Sequence, residues 1–351
     1  MRYYSINIEG APPTFGVAGF GDATYTSFVG GQTLPAAWNV EMDIPVGPAA
    51  SPMGGALVRV WGISIAEISQ AADLVNKKIK IYGGMQRGLP LANPAQAGLL
   101  VQGYVFQAFG NWVGTDMTLD LIVQPGDPPS TPTGGGAATG GGVGSYDRPI
   151  NLSLNWKKGA PLGDGLKTAL QTAFPGFTVN VNASSKLVFG ADQPGYYQTL
   201  TQLGQWAKQF SKSIVKDAGY NGVDILVFGN EITVYDGMGS TASANAKQID
   251  FIDLIGQPTW IEAPTIQIKC VMRADVKVGD KIKLPQSAVT NTAAAQSSLV
   301  PNQRMTFQGE FMVQQVRHLG TYRQPDAASW VTVINSSPTT LGAVPANGGS
   351  Q

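Results

Sequence analysis

The first third of the chain contains short segments in which apolar and polar residues alternate, the spacing that places one face of a strand on a core. Residues 56–61 (ALVRVW) and 77–82 (KKIKIY) show this pattern, and the second segment ends at a pair of glycines. Residues 99–108 and 117–123 are two further apolar runs, separated by residues typical of turns. The pattern therefore predicts four strands, of which the last two form a hairpin.

A short helix is predicted between the first two of these strands. Ser64 and Glu67 have the spacing of a capping box, in which the serine accepts from a backbone N–H and the glutamate reaches back. Apolar residues then recur at helical spacing. They are Ile65, Ile68, Ala72 and Val75. We therefore expect a helix over residues 65–76, with these four residues on one face.

After residue 148 the pattern changes to a mixture of strands and helices. Residues 150–156 alternate as a strand does, and residues 177–181 form the strand that returns. Between them, Asp164 can cap a helix whose apolar residues lie four apart and which ends at Pro175. Those apolar residues are Leu166, Leu170 and Phe174.

A second helix is predicted over residues 198–216, because one apolar stripe runs along it. The stripe consists of Leu200, Leu203, Trp206, Ala207, Phe210 and Ile214. Lysines four residues apart occupy another face, which we interpret as solvated rather than as a binding patch. They are Lys208, Lys212 and Lys216. Residues 223–228 and 231–235 then form a hairpin around a Gly-Asn turn, since both residue types tolerate positive φ.

The last third of the chain repeats the order of strands found in the first third. Four segments correspond in the same order and at comparable spacing. The pairs are 265–271 with 56–61, 280–284 with 77–81, 305–314 with 100–107, and 330–334 with 117–123. We interpret this as a duplication of one strand-built module. Any two small antiparallel barrels would also show such alternation, so this alternative stays open.

Two similar modules in one chain constrain how copies can assemble. A closed ring of n subunits with two modules each has 2n quasi-equivalent positions, so a trimer would present six. That geometry suits a place where a sixfold tube meets a threefold object. The sequence does not specify n, so the trimer is a consequence to test.

A segment rich in glycine and proline, residues 126–145 (GDPPSTPTGGGAATGGGVGS), separates the two halves. It has no apolar periodicity, so we expect a flexible connector or an exposed loop. A phosphate-binding glycine loop is disfavoured, because a strand follows instead of a Gly-Lys-Ser/Thr ending and a helix. The predicted domains are an N-terminal barrel-like domain (1–125), the connector (126–147), a central α+β domain (148–240), a C-terminal barrel-like domain (241–340) and a flexible tail (341–351).

Composition supports a protein that is covered by other chains. Only 13% of the 351 residues are charged while 43% are hydrophobic, and the formal net charge is zero. A chain with so little charge is expected to associate readily. Without a basic excess to neutralise phosphates, we expect no nucleic-acid binding, and without a long apolar run we expect no membrane span. Residues 1–8 have the pattern of a strand rather than of a signal peptide, so cytosolic synthesis is expected.

The inventory of reactive residues is small. His318 is the single histidine, and at the end of a strand it is interpreted as a hydrogen-bonded structural residue. Cys270 is the single cysteine, so an internal disulfide is excluded. Because it lies in an apolar strand, it is interpreted as a small buried apolar residue. No cluster of His, Cys and carboxylates has the spacing of metal ligands. We therefore expect no catalytic residue, no cofactor and no metal.

Two pairs of carboxylates and three tryptophans define the alternatives. Asp250 with Asp253, or Asp224 with Glu231, could be imagined as the acid and base of a glycosidase. Neither pair comes with a lysozyme-like context, so catalysis is disfavoured. A carbohydrate-binding module would need exposed stacking faces, for which the candidates are Trp112, Trp156 and Trp206. The last two belong to a strand and to a core stripe, so burial is expected for both.

Five segments resemble the baseplate hub proteins of Mu-like contractile-tailed phages and their relatives in other myoviruses. They are 256–260 (GQPTW), 266–272 (IQIKCVM), 278–282 (VGDKI), 311–318 (FMVQQVRH) and 328–334 (ASWVTVI). The resemblance covers residues 148–336 well and the N-terminal barrel more loosely. It implies a trimeric hub in which each subunit contributes two barrel-like domains to a pseudo-sixfold ring. Such hubs bind the tail tube or its initiator on one side and the spike on the other.

We therefore expect a mainly β protein with an α+β insert, in which two similar antiparallel barrel-like domains flank a central α/β region. The expected function is that of a non-enzymatic, homotrimeric baseplate hub in a virion tail, with tube, spike and other baseplate proteins as partners. The alternatives are a tail tube or tube-initiator protein and a tail-associated cell-wall hydrolase. A tube protein is disfavoured by the central insert, because tube subunits are usually one sheet-based module.

Overall fold

The computed structural model of the chain describes residues 1–18, 20, 22–50, 55–86, 93–126, 128, 150–215, 220–236, 246–262, 265–285 and 310–339. The first part folds into β1 (Arg2–Ile8), β2 (Ala23–Thr26), β3 (Phe28–Val29), β4 (Gln32–Thr33), β5 (Asn39–Val46), β6 (Ala56–Trp61), α1 (Ile65–Ser69), β7 (Lys78–Met85), β8 (Gly98–Val113) and β9 (Asp116–Pro125). All four strands predicted here are present, and β8 and β9 form the predicted hairpin.

The central part is an α+β region with its own core. Its elements are β10 (Leu152–Trp156), α2 (Leu162–Ala173), β11 (Thr178–Asn182), β12 (Gln193–Tyr197), α3 (Leu200–Ile214), β13 (Asp224–Phe228) and β14 (Glu231–Tyr235). Strand β10 pairs with β12, and β14 lies between β11, which is parallel to it, and antiparallel β13. The apolar faces of both helices pack onto these strands around Trp156.

The last part adds β15 (Lys247–Gln248), β16 (Thr259–Glu262), β17 (Thr265–Val271), β18 (Lys281–Lys283), β19 (Glu310–Thr321) and β20 (Trp330–Pro338). With strands of the first part they form, within the described residues, a 13-stranded sheet. Its path runs β16-β17-β20-β19-β5-β6-β9-β8-β7-β1-β2, and β18 pairs with β19 and with β15. The chain is therefore mainly β with large antiparallel sheets, as predicted.

The strands that correspond in sequence also pair in the same order. Strands β6, β9, β8 and β7 are neighbours in that order, and β17, β20, β19 and β18 are neighbours in the same order. All six pairings are antiparallel. One four-strand unit therefore occurs twice in the sheet.

The two units also share their register. The pairing of β8 with β9 shifts by one residue at Phe106, and that of β19 with β20 shifts by one residue at Gln314. These bulges are equivalent, because residues at the same distance from each bulge are paired in both units. Equivalent pairs are Gly103–Pro125 and Phe311–Pro338, Ala108–Leu121 and Val316–Ile334, Trp112–Met117 and Gly320–Trp330. Random alternation does not require a bulge at the same place, so the register supports duplication.

The two units are joined edge to edge. Residues 316–321 of β19 pair with residues 41–46 of β5, which belongs to the first part. Each strand thereby satisfies backbone N–H and C=O groups that an open edge would leave to water. The predicted arrangement of two barrel-like domains is not confirmed, because in the described residues the strands form one continuous sheet that ends at β2 and β16.

The predicted helix over residues 65–76 is wrong in length, although its capping box is confirmed. Helix α1 ends at Ser69, and a 3₁₀ turn follows over Ala71–Leu74. The predicted apolar face is also wrong, because Ile65 is 58% exposed, whereas Leu74, which lies after the helix, is fully buried. The buried carboxylate of Glu67 accepts from the backbone N–H of Ser64 at 2.7 Å and from the hydroxyl of Tyr25 at 2.8 Å. Burial beside this carboxylate raises the pKa of Tyr25.

The central helices follow the predicted apolar stripes. Helix α2 begins after Pro161 rather than at Asp164. Asp164 lies in the first turn of the helix, where its negative charge is stabilised by the free backbone N–H groups. Helix α3 is capped by the Thr199 side chain, which accepts from Gln202. The predicted hairpin turn is confirmed, with Gly229 at a φ of 57°.

Three apolar cores are centred on the three parts, and each also contains residues of another part. Met272 and Trp330 of the last part belong to the first core, Ala49 of the first part to the central core, and Leu226 of the central part to the last core. The predicted domain limits stay predictions, because residues around each limit lie outside the described ones. The same applies to nearly all of the connector, to the tail from residue 341 and to residues 305–309 of the repeat.

Candidate assembly surface

His318 lies inside the sheet, on β19, and is 3% exposed. Its Nδ1 is 2.9 Å from the Thr332 hydroxyl, which itself donates to the carbonyl of Arg273. Because that hydroxyl has one proton to give, Nδ1 carries the proton that His318 donates. Burial lowers the pKa of His318 to about 4, so the ring is neutral at ordinary pH. The geometry is that of a structural hydrogen bond.

Replacing His318 with glutamine is expected to flatten the pH dependence of stability on the acid side. In the folded state the pKa of His318 is about 4, and in the unfolded state it returns to the ordinary histidine pKa of 6.5. The unfolded chain therefore binds a proton first, and stability that is complete above about pH 6.5 falls as the pH drops towards 4, by about 3 kcal/mol. Urea unfolding between about pH 7.5 and about pH 4.5 measures this, and equal losses in wild type and variant would contradict it.

Cys270 is fully buried on β17 and donates to the carbonyl of Thr332 at 3.4 Å. Burial raises the pKa of its thiol to about 12, so the thiolate that reacts as a nucleophile is not formed near neutral pH.

Asp250 and Asp253 are not brought together as an acid and a base. Asp253 is 2% exposed and accepts from Arg273 at 3.0 Å and from Gln96 at 2.8 Å, whereas Asp250 is exposed. Arg273 also makes two hydrogen bonds to Asp275. Gln96 belongs to the first part of the chain, so this buried network connects the two repeated units.

Asp224 and Glu231 lie at opposite ends of the β13–β14 hairpin, because Asp224 pairs with Tyr235 while Glu231 is next to the turn. Both oxygens of Asp224 accept from the ammonium group of Lys208, at 3.0 and 2.9 Å. Burial raises the pKa of Asp224, and Lys208 opposes that shift. The prediction of a solvated lysine face is therefore wrong for Lys208, and Lys216 lies outside the described residues.

The three tryptophans have different environments. Trp156 is fully buried, and its indole N–H donates to the carbonyl of Ala160 at 2.8 Å. Trp206 stacks on Phe210, with ring centroids 5.1 Å apart, and is partly buried against the same core. Burial is thus confirmed for Trp156 and partial for Trp206. Trp112 is 62% exposed at the end of β8.

Among the described residues, no group of three or more His, Cys, Asp and Glu side chains is placed to hold a metal ion. Over the same ranges, no helix combines the length and the apolar character that crossing a bilayer requires.

Four exposed apolar side chains lie on the far half of β8, beyond its pairing with β7. They are Phe106, Phe109, Trp112 and Val113. Each is at least 47% exposed. Successive side chains of a strand point to opposite faces, so Trp112 lies on one face of β8 and Phe109 and Val113 on the other. We call this group the β8 surface.

A second group of exposed apolar side chains belongs to β16, the strand at one end of the sheet path, and to the residues that precede it in the chain. It consists of Phe251, Ile252 and Ile261, each at least 53% exposed. We call it the β16 surface. A candidate interaction surface is thus present beside each repeated unit.

Sequence reasoning found Trp112 but missed the rest of the β8 surface. The predicted strand ended at residue 108, whereas β8 continues to Val113. The available signal was the spacing of Phe106, Phe109 and Trp112, which breaks the alternation that a strand with one buried face requires.

Comparison of the sequence with models of protein families gives no match, and comparison with curated proteins gives none either. The fold does match solved structures. The c3393 protein of E. coli, a type VI secretion component described as structurally similar to the T4 bacteriophage tail proteins gp27 and gp5, aligns at a TM-score of 0.50 and 8% identity. The alignment covers 96% of this chain and 77% of that one.

Two tail proteins are also similar. The 43 kDa tail protein of prophage MuSo2 from Shewanella oneidensis has a TM-score of 0.49 and 9% identity, over 97% of this chain and 98% of that one. A tail protein of Neisseria meningitidis MC58 has a TM-score of 0.46 and 10% identity, over 96% of each chain. At identities of 8 to 10%, the likeness to these structures is one of fold alone.

Proposed function

We propose that this protein is the central hub of a contractile phage tail baseplate. In this proposal the chain has a structural role rather than an enzymatic one. Three copies form a ring that receives the sixfold tail tube or its initiator on one side and the threefold spike on the other. Other baseplate proteins bind its outer surface in the virion.

The observation that carries the proposal is the four-strand unit that occurs twice with one pairing order and one register. A ring of three such chains presents six similar units, so one side can match a sixfold partner while the whole ring keeps threefold symmetry. A single-unit chain would need six copies to do the same, and its six identical units would not distinguish the two alternating positions that a threefold partner contacts.

Three further features support a role in assembly. The fold is shared with the E. coli secretion component, whose description relates it to phage tail proteins. Zero net charge and a charged fraction of 13% suit a chain whose surface is covered by neighbours. The β8 and β16 surfaces expose apolar side chains that a neighbour would bury.

The proposal predicts the mass of the assembled protein. Native mass spectrometry of the purified chain is expected to give a species of about 110 kDa, three times the 36.8 kDa of one chain. A hexamer would favour a tube component instead, and a monomer at every concentration would contradict the hub.

A further inference from the structure

The joint between the two repeated units is a strand pair whose details are visible within one chain. Leu319 of β19 is opposite Asp43 of β5. Two positions further along this joint, the Arg317 guanidinium binds the Asp43 carboxylate at 2.7 Å. The joint is thus formed by the far half of β19, the long strand of the second unit, and by β5, the strand that precedes the first unit.

Each strand of this joint has an equivalent in the other unit. Asn111 of β8 is equivalent to Leu319 of β19, because β8 pairs with β9 in the same register in which β19 pairs with β20. Thr259 of β16 is equivalent to Asp43, because β16 pairs with β17 where β5 pairs with β6. An equivalent joint would therefore place the far half of β8 beside β16.

Within one chain these two strands lie far apart in the sheet. Strand β16 ends the sheet path, and β8 lies on the other side of the β19–β5 joint from it. In the described part of the chain, no strand pairs with the far half of β8 on the edge away from β9. An edge of this length with exposed apolar side chains is a ready template for a strand from another molecule.

We propose that the far half of β8 in one copy pairs antiparallel with β16 in a neighbouring copy, in the register that the internal joint has at Leu319 and Asp43. Beyond Trp260 the register is set by a bulge in β16, where the pairing with β17 shifts by one residue. This inference rests on the proposed ring and specifies the contact that builds it. Asn111 of one chain is then opposite Thr259 of the next. The contact is head-to-tail, since it joins two different edges, and it closes into a ring when the rotation per subunit allows.

The chemistry of the two edges fits such a pair. The β8 surface brings Phe109 to the contact, and the β16 surface brings Ile261, so apolar area is buried where the internal joint has the Arg317–Asp43 ion pair. Aromatic and β-branched residues are favourable cross-strand neighbours. A contact that buries apolar side chains is expected to persist at high salt, whereas an exposed ion pair is screened.

Disulfide trapping tests the pairing. In an antiparallel pair of strands, hydrogen-bonded and non-hydrogen-bonded residue pairs alternate, and side chains are closer in the second kind. The backbone N–H of Tyr322 donates to the carbonyl of Val40, so these two form a hydrogen-bonded pair. Leu319 and Asp43, three positions away, are therefore a non-hydrogen-bonded pair. The equivalent pair is therefore suited to a disulfide. In the double variant Asn111→Cys/Thr259→Cys, mild oxidation is expected to convert the monomer band into linked dimers and trimers on a non-reducing gel. Cys270 is buried and does not compete.

The matched control is Phe106→Cys/Thr259→Cys, because Phe106 is also exposed on β8. It lies about 17 Å along the strand from Asn111 at ~3.4 Å per residue, beyond the reach of a disulfide. Cross-linking in the test pair alone supports the inference, and equal cross-linking in both overturns it. If the test variant forms a trimer but does not cross-link, the β8–β16 pairing is overturned and the proposed hub function is not. If it is a monomer and does not cross-link, both proposals are overturned.

Discussion

Replacing Arg273 with methionine is expected to lower the free energy of unfolding by about 3–5 kcal/mol, because the substitution leaves a buried carboxylate without its counter-charge. The side chains of Arg273 and Asp253 are each 3% exposed and their charged atoms are 3.0 Å apart. Asp253 would keep the amide of Gln96, which does not neutralise it. Urea unfolding followed by circular dichroism measures the change.

The control is Arg317→Met, which removes the exposed partner of Asp43. The side chains of this pair are 50% and 36% exposed, so its loss is expected to cost less than about 1 kcal/mol. A second variant, Arg273→Met/Asp253→Leu, removes both buried charges and should recover much of the stability. Equal costs for the Arg273 and Arg317 variants would contradict the assignment of the buried network.

Replacing Trp156 with alanine is expected to cost about 3–5 kcal/mol, the range for deleting a large aromatic from a core. The ring is fully buried and its neighbours include the rings of Phe189, Trp206 and Phe210, with centroids 5.6 to 6.4 Å away. The substitution also leaves the carbonyl of Ala160 without its indole donor. Equilibrium unfolding of the purified chain measures the loss.

Phe251→Ala is the matched control, because it also deletes an aromatic ring but one that is 66% exposed. Its expected change in the free energy of unfolding is within about 0.5 kcal/mol, as for other surface substitutions. Carbohydrate binding through Trp156 would require an accessible ring. A loss of glycan binding in Trp156→Ala without a loss of stability would therefore contradict the structural role.

Local patterns in the sequence predict most of the strands and the central helices. Alternation identified β6, β7, β10 and both strands of the β13–β14 hairpin, and an apolar stripe identified α3, because burial of one face imposes these periods. Helix α1 was predicted too long because Ala72 and Val75 continue the helical spacing after the backbone has left it. There, burial of Leu74 beside the sheet outweighs the local pattern.

Local patterns do not predict the contacts between segments that are distant in the chain. The joining of β5 to β19 brings together strands that are far apart in the chain, and no periodicity records which edges meet. The ion pairs of Lys208 with Asp224 and of Arg273 with Asp253 likewise depend on the tertiary fold. The repeat was the exception, since duplicated segments carry their pairing order with them, and the shared bulge appears only in the structure.

The central claim is tested most directly by a cryo-electron microscopy reconstruction of the tail particle that contains this chain, at a resolution that separates its domains. The account predicts three copies in one closed ring at the centre of the baseplate, between tube and spike, with β8 of each copy next to β16 of its neighbour. Copies stacked along the tube as sixfold rings, or placed only at the baseplate periphery, would contradict it.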